Sequence, residues 1–219
     1  MKDPEYLREV YNKRFREPVN KWGSEDLEKC IKIARKVISW TNVNTGKKPK
    51  MLDVGCATGF YTRAFSECGF EAYGLDYSDV AIAKASELHP GCHFIHMDGF
   101  NPEISLTFDL IFCRGFSGCN THKIEEVTEW SEKYLNLLNK GGKFVLSYSS
   151  DFSGCEAEGE TVNWSRQEIE EYAKQIDAKY SGIHFFYKNR LVSRVYFLLK
   201  KILSKKKIKK YYYLIFTKE

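Results

Sequence analysis

The chain has 219 residues, of which 43% are hydrophobic and 29% charged, and this composition is that of one ordinary globular domain with modest additions. Only five prolines and no internal repeat exclude long disordered linkers and repeat architectures, and the charged first fifteen residues exclude the apolar core of a signal peptide. We therefore expect a cytoplasmic protein, whose net charge of +5 is concentrated at its carboxyl-terminal end.

Residues 1–49 are predicted to form a helical lid or extension. Asp3 is placed to cap a first helix with Pro4 at its first position, and this helix should end before Pro18. Ser24 is expected to cap a second helix, whose apolar residues recur every three or four positions: Leu27, Ile31, Ala34 and Ile38.

Residues 50–219 show short apolar runs that alternate with helical patterns. Strands are predicted near residues 50–54, 70–75, 92–96, 108–113, 142–148, 180–187 and 210–217. Helices are predicted between them, near residues 60–67, 78–88, 122–138 and 166–176. Such alternation predicts a parallel sheet covered on both faces. The last two strands are expected to pair antiparallel at an edge, with a helical segment near 190–204 between them.

Cysteine and histidine spacings give no sign of a metal site. The seven cysteines include no C-x-x-C pair, so neither a disulfide framework nor a zinc site is indicated. His89, His93 and His96 are close in sequence, but Pro90 and Gly91 separate the first from the others. We interpret these histidines as turn and strand-end residues, and we predict no bound metal.

The first strand-to-helix turn reads Gly55-Cys56-Ala57-Thr58-Gly59. Glycines at its two ends let the backbone approach a ligand without an intervening Cβ. Asp76 follows Gly55 by twenty-one residues, at the end of the second strand, and is spaced to accept hydrogen bonds from a ribose diol. The combination predicts an adenosine-type ligand. A dinucleotide pyrophosphate would require glycine at Ala57 and a small residue at Phe60, so a nicotinamide or flavin cofactor fits poorly.

The stretch LDVGCATGFYT resembles the first motif of the class I S-adenosylmethionine-dependent methyltransferases, whose usual form is acid-x-Gly-x-Gly-x-Gly. The match holds at Asp53, Gly55 and Gly59 and departs at Ala57. The stretch GLDYSDVAIAKA is similar to the second motif of the family, which places Asp76 on the ribose.

Three further motifs follow in the order of this family. HFIHMDG resembles the third, which places Asp98 at the adenine amino group with Gly99 and Phe100 beside the ring. FDLIFCRGFSG resembles the fourth, whose strand ends at the reacting methyl, and LLNKGGKFVLSYSS resembles the helix-turn-strand that comes next. Together the five motifs cover residues 51–149.

The resemblance implies an α/β, Rossmann-like fold: a seven-stranded, mostly parallel sheet with helices on both faces, an antiparallel last strand and the N-terminal helical extension closing over the cofactor. It implies S-adenosylmethionine as cofactor and S-adenosylhomocysteine as product. The cofactor-binding residues implied are Asp53, Gly55, Cys56, Ala57, Gly59, Phe60, Asp76, Tyr77, Asp98, Gly99, Phe100, Cys113 and Arg114.

Methyl transfer requires the acceptor to lie in line with the S–CH3 bond, and an oxygen acceptor also requires a base for its proton. The fold lets Arg114, Ser117 and His122 reach this region after the fourth strand, and Asp151 after the fifth. We predict His122 and Arg114 as catalytic, His122 as the base because imidazole titrates near neutrality. His122 could equally be a first-turn residue of its helix, and Arg114 could either position an anionic acceptor or pair with a structural acid.

The fourth motif lacks the Asn/Asp-Pro-Pro-aromatic and Pro-Cys sequences of the family's nucleobase enzymes, which disfavours base methylation. The leading hypothesis is therefore transfer to an oxygen or nitrogen of a small molecule or glycan. Two alternatives remain: an RNA methyltransferase that uses the basic carboxyl-terminal segment, and a protein that binds S-adenosylmethionine or its product without catalysis.

The basic character of the chain belongs to its end. Residues 190–219 contain ten Lys and Arg against one acidic residue, so residues 1–189 carry a net charge of −4. Within them, an amphipathic insertion at about 190–207 is too short and too charged to span a bilayer. It fits a helix that covers the end of the sheet, a peripheral helix on an anionic membrane, or a patch that contacts RNA.

Overall fold

The computed structural model describes residues 4–16, 25–44, 48–157, 161–186 and 209–219. In these ranges the chain forms six α-helices: α1 Pro4–Arg16, α2 Leu27–Thr41, α3 Phe60–Glu67, α4 Asp79–Leu88, α5 Ile124–Asn136 and α6 Arg166–Gln175. It also forms nine strands: β1 Lys50–Val54, β2 Glu71–Asp76, β3 His93–His96, β4 Phe108–Arg114, β5 Leu138–Ser150, β6 Glu156–Ala157, β7 Thr161–Val162, β8 Lys179–His184 and β9 Lys210–Thr217. The basic insertion at 190–207, with its predicted helix, lies outside the described residues.

Seven strands form one sheet in the order β3-β2-β1-β4-β5-β9-β8. Strands β1 to β5 pair in parallel, and β9 lies antiparallel between β5 and β8. The predicted seven-stranded, mostly parallel sheet with an antiparallel last strand is therefore confirmed. The strand order reverses at β1, whose neighbours are β2 and β4, so the carboxyl ends of these strands form the crevice in which such sheets bind ligands.

Several predicted boundaries are wrong by a few residues. Helix α2 is capped by Asp26, whose carboxylate accepts a hydrogen bond from Lys29 N at 3.3 Å, and Ser24 lies outside the described residues. Helix α5 begins at Ile124 and not at residue 122. Strand β5 extends beyond the predicted 142–148, because Gly141 N donates to Lys218 O at 2.9 Å and so continues the pairing into the glycine pair.

The sheet buries a different set of side chains on each face because successive residues of a strand alternate between faces. In β4, Phe112 faces the layer of α2 and α3, while Ile111 faces the layer of α5 and α6. Helix α2 contributes to the first layer through residues spaced at three and four positions: Cys30, Ala34 and Val37. The second helix of the N-terminal extension is thus a layer of the core, packed against α3 and the sheet.

Helix α1 docks on α4 through a buried polar contact. Asn12 Nδ2 donates to Asp79 Oδ1 at 2.6 Å, and Ser78 Oγ donates to Asn12 Oδ1 at 2.5 Å. Nearby, Lys84 donates to the carbonyl of Phe15. Because Ser78 follows Asp76 by two residues, α1 is attached beside the carboxyl end of β2.

Candidate cofactor and acceptor site

The turn between β1 and α3 arches away from the sheet through three residues in the left-handed region. These residues are Gly55, Ala57 and Gly59, with φ values of 71°, 49° and 79°. The N–H groups of Gly55 and Cys56 both donate to Leu75 O, at 2.8 and 2.9 Å. The chain therefore turns sharply at the end of β1 while staying bonded to β2.

Asp76 fixes the middle of this turn. Its Oδ2 accepts a hydrogen bond from Ala57 N at 2.8 Å, and its Oδ1 accepts one from Ser78 N at 2.9 Å. Burial raises the pKa of Asp76, and these backbone donors oppose the rise. Each carboxylate oxygen can accept a second hydrogen bond, so the group that holds the loop can also accept the hydroxyls of a ribose.

Gly59 is required by both its conformation and its neighbours. A Cβ at this position would lie 2.7 Å from the ring of Phe94 and 3.1 Å from His89. We expect Gly59→Ala to lower the free energy of unfolding by more than the roughly 1–2 kcal/mol that a left-handed alanine costs. Gly115→Ala is the matched control, because Gly115 has a φ of 67° and a Cβ added there would have no atom within 4 Å. Urea unfolding should rank Gly59→Ala as the less stable variant, and equal losses would contradict this role of Gly59 in the turn.

Asp53, the first acid of the turn motif, lies beneath the loop and is 3% exposed. Its Oδ2 accepts a hydrogen bond from Thr62 Oγ1 at 2.8 Å, which ties β1 to the first turns of α3. Burial raises the pKa of Asp53 to about 7. In this structure the carboxyl group positions α3, and contact with a cofactor stays a prediction.

The raised pKa of Asp53 predicts a pH dependence of stability. A carboxyl group whose folded pKa exceeds its unfolded value stabilises the fold while protonated, and this contribution is lost as the pH rises from about 4 towards 7. Between pH 5 and pH 8 the unaltered protein should therefore lose more stability than Asp53→Asn, because the other titrating groups are common to both. Urea unfolding at the two pH values tests this, with Glu87→Gln on the exposed surface as control. Parallel losses in Asp53→Asn and the unaltered protein would contradict the assignment.

The loop after β3 carries the second predicted pair of cofactor contacts. Asp98 Oδ1 accepts a hydrogen bond from Phe100 N at 2.9 Å, and Tyr134 donates from its hydroxyl to Gly99 O at 2.7 Å. The ring of Phe116 covers this loop, because a Cβ on Gly99 would lie 2.8 Å from it. The same ring would lie 3.4 Å from a Cβ added to Gly55, so Phe116 packs between the turn after β1 and the loop after β3. This role of Phe116 was not predicted from the sequence.

Four other predicted cofactor contacts have clear structural partners. The thiols of Cys56 and Cys113 are buried, and burial raises the pKa of each. The rings of Phe60 and His89 pack edge to face with centroids 5.1 Å apart, and Tyr77 lies beside His96. Cofactor contact by these side chains stays a prediction.

The two predicted catalytic residues lie in different surroundings. The Arg114 guanidinium lies over the Tyr61 ring at 4.8 Å and over the Tyr211 ring at 4.0 Å, on the side of the sheet covered by α2 and α3. His122 Nδ1 lies 2.5 Å from Glu168 Oε1, at the start of α6. The structure thus joins Arg114 to a group of tyrosines and His122 to a carboxylate.

The other residues singled out from the sequence have local partners. Ser117 begins the short 3-10 helix Ser117–Cys119, and Asp151 Oδ1 accepts a hydrogen bond from Ser153 N at 2.9 Å. His93 stacks on Tyr73 with ring centroids 4.6 Å apart. Among the residues that the structure describes, no group of three or more His, Cys, Asp or Glu is arranged to hold a metal ion. Within the same residues no helix combines the length and apolar character needed to cross a membrane.

The glycine turn follows β1 at the point where the strand order of the sheet reverses. This arrangement defines the class of α/β proteins that bind nucleotide-like cofactors at the carboxyl edge of a doubly wound sheet. Residues 46–216 match a family model described as a methyltransferase domain. The chain belongs to this family, which confirms the resemblance to class I S-adenosylmethionine-dependent methyltransferases and identifies the protein as a methyltransferase that uses this cofactor.

Solved structures share the fold over most or all of the chain. A S-adenosylmethionine-dependent methyltransferase from Clostridium acetobutylicum ATCC 824 superposes with a TM-score of 0.67 at 15% identity, covering 98% of each chain. Magnesium protoporphyrin IX methyltransferase from Synechocystis PCC 6803, with bound cofactor, gives 0.64 at 14% identity, covering 100% of this chain and 98% of that one. The glycopeptide N-methyltransferase MtfA gives 0.62 at 12% identity, covering 87% and 90%. No curated protein matches the chain by sequence.

Proposed function

We propose that the protein transfers the methyl group of S-adenosylmethionine to an oxygen or nitrogen of a small molecule or glycan. The proposal rests mainly on one hydrogen bond, from Ala57 N to Asp76 Oδ2, which joins the glycine turn to the acid at the end of β2. The acceptors named for two structural neighbours, magnesium protoporphyrin IX and a glycopeptide, support this range of acceptors.

The residues of the carboxyl edge fit this cofactor. The turn from Gly55 to Gly59 exposes backbone with no side chain larger than a methyl group at its three left-handed positions, which leaves room for the amino-acid end of the cofactor. The free lone pairs of Asp76 suit the ribose hydroxyls, and Asp98 with Phe100 suits the adenine. When bound, S-adenosylmethionine supplies a sulfonium methyl group that is already activated for transfer.

This chain's own contribution is then to orient the acceptor, exclude water and accept a proton. An oxygen acceptor loses its proton as the new bond forms, and His122 is the proposed base. Its Nδ1 faces Glu168 Oε1, so donation to that carboxylate leaves Nε2 as the proton acceptor. Glu168 is itself held in a capping box with Ser165, which fixes the orientation of the imidazole. The same contact also joins the loop after β4 to α6, which is the structural alternative.

The proposed function is tested with methyl-labelled S-adenosylmethionine and separate soluble, membrane and RNA fractions of a cell extract. We expect label in the soluble small molecules or glycans, and Asp76→Ala provides the background. Label in RNA would support the RNA alternative, and binding of S-adenosylhomocysteine without label in any fraction would support a non-catalytic binder. Loss of labelling in His122→Asn, with binding of S-adenosylhomocysteine retained, would support the role of the base.

A further inference from the structure

A row of four polar side chains crosses the carboxyl edge of the sheet. Arg114 of β4 pairs with Ser147 of β5, Ser147 pairs with Tyr213 of β9, and Tyr213 pairs with His184 of β8. Residues in register on neighbouring strands project to the same face, about 5 Å apart. For these four residues it is the face that α2 and α3 cover, since Tyr213 packs in that layer with Phe112.

Three members of this row carry a buried polar atom with no well-aligned hydrogen-bond partner in the described part of the chain, and the side chains of Arg114 and Ser147 both lie within hydrogen-bonding reach of the Tyr213 hydroxyl. The three atoms are Arg114 Nε, Ser147 Oγ and His184 Nε2. Buried polar groups are nearly always hydrogen-bonded, so three unsatisfied groups in one register row require an explanation. Arg114 Nε and Ser147 Oγ can donate hydrogen bonds, which makes this part of the row complementary to an acceptor of several hydrogen bonds. The His184 ring donates to the backbone at Ser181, and burial lowers its pKa, so its Nε2 is an acceptor.

The charge of the row specifies the kind of acceptor. The Arg114 guanidinium is enclosed by the rings of Tyr61 and Tyr211, and it forms no ion pair with a carboxylate among the described residues. The carboxylate of Glu25 interacts electrostatically with Arg114. The Glu25 side chain is exposed, however, and it accepts a hydrogen bond from the Cys30 thiol at 3.3 Å. Arg114 is half-buried, and Tyr211 beside it is 45% exposed. A cation with unused donors suits an oxyanion.

The row lies where a methyl acceptor would have to bind. Arg114 follows Cys113, which pairs with Val54, the last residue before the glycine turn. Strand β8 ends at His184 and β9 begins at Lys210, so residues 187–208 are joined to the sheet at this same edge. These residues include eight Lys and Arg and no acidic residue.

We propose that Arg114 and Ser147, with Tyr213 beside them, bind an anionic group of the methyl acceptor, either a carboxylate or a phosphate. This inference rests on the proposed function and narrows its acceptor to an anion. The planar guanidinium offers a paired set of N–H donors to two oxygens of the anion, and Ser147 offers a third donor. His184, two strands beyond Ser147, extends the row along the acceptor. These residues form no covalent bond with the acceptor and position it beside the methyl group.

The inference is tested by nuclear magnetic resonance of the Arg Nε–H groups in protein labelled with 15N-arginine and loaded with S-adenosylhomocysteine. The resonance of Arg114 is assigned by its loss in Arg114→Lys. Inorganic phosphate and acetate are titrated separately, with chloride at matched ionic strength as control. We expect a saturable shift of Arg114 with at least one oxyanion and none with chloride. The oxyanion that binds more tightly indicates whether the acceptor carries a phosphate or a carboxylate.

Arg166 is the matched control, because its guanidinium lies over the Phe152 ring at 5.2 Å, outside the row. The Arg166 resonance should show no saturable shift with either oxyanion. Ser147→Ala should weaken the oxyanion affinity measured at Arg114 by roughly 2- to 10-fold, the effect of losing one hydrogen bond. An unmoved Arg114 resonance, or equal shifts at Arg114 and Arg166, would overturn the inference. If a neutral acceptor receives the methyl label while the Arg114 resonance does not move, the anion site is refuted and the proposed function is not. If the Arg114 resonance shifts saturably while no fraction is labelled, the proposed function is refuted and the anion site is not.

Discussion

Asp76→Ala is expected to weaken the binding of S-adenosylhomocysteine by about 1–3 kcal/mol, the cost of leaving buried hydrogen-bonding groups unpaired. The variant removes the proposed acceptor of the ribose hydroxyls. It also removes the partner of Ala57 N, and Ala57 is a non-glycine residue held at a φ of 49°. Loss of the ribose contact and loosening of the turn act in the same direction, so the upper part of this range is expected.

Isothermal calorimetry of Asp76→Ala, Asp76→Asn and the unaltered protein measures the effect. Asp76→Asn keeps one oxygen as an acceptor, so it should bind more tightly than the alanine variant and more weakly than the unaltered protein. Glu87→Ala, on the exposed surface of α4, should bind normally. Unchanged affinity in Asp76→Ala, with thermal unfolding showing a folded protein, would contradict the placement of the ribose.

Phe112→Ala is expected to lower the free energy of unfolding by about 3–5 kcal/mol, the usual cost of removing a fully buried phenyl ring. Phe112 is 0% exposed and lies in β4, between β1 and β5. Its ring packs against Phe65 at 5.2 Å and Tyr61 at 5.5 Å between centroids, so its loss opens a cavity between α3 and the sheet. Urea unfolding measures the change.

The control for Phe112→Ala is Leu88→Ala, because Leu88 is 53% exposed at the end of α4. Its loss of stability should be well under about 1 kcal/mol, since a surface substitution removes little buried area. A similar small loss in Phe112→Ala would contradict the structure's placement of this ring at the centre of the sheet.

The fold could be predicted from the sequence because each strand and helix carries its own local signal. The glycines and acids of the turn motifs lie a fixed number of residues from their strands, so Gly55, Asp76 and Asp98 could be placed at the carboxyl edge from the sequence alone. Element ends were less predictable. Asp26 and Ser24 are equally good capping residues by type, and the extension of β5 depends on a contact between Gly141 and Lys218 that no local pattern contains.

The polar row could not be predicted, because it depends on the register between strands that are far apart in sequence. Arg114, Ser147 and Tyr213 meet only because β9 inserts antiparallel beside β5. The alternation of Tyr211 and Tyr213 does place both on one face of a strand, and this signal was present in the sequence. The hydrogen bond of Asn12 with Ser78 likewise depends on how α1 docks.

The most direct test of the account is a crystal structure of the protein soaked with S-adenosylhomocysteine. We predict density for the amino-acid end against residues 55–59, with the ribose hydroxyls on Asp76 and the adenine beside Asp98. Density for the molecule at another edge of the sheet, with the turn and Asp76 unoccupied, would contradict the account.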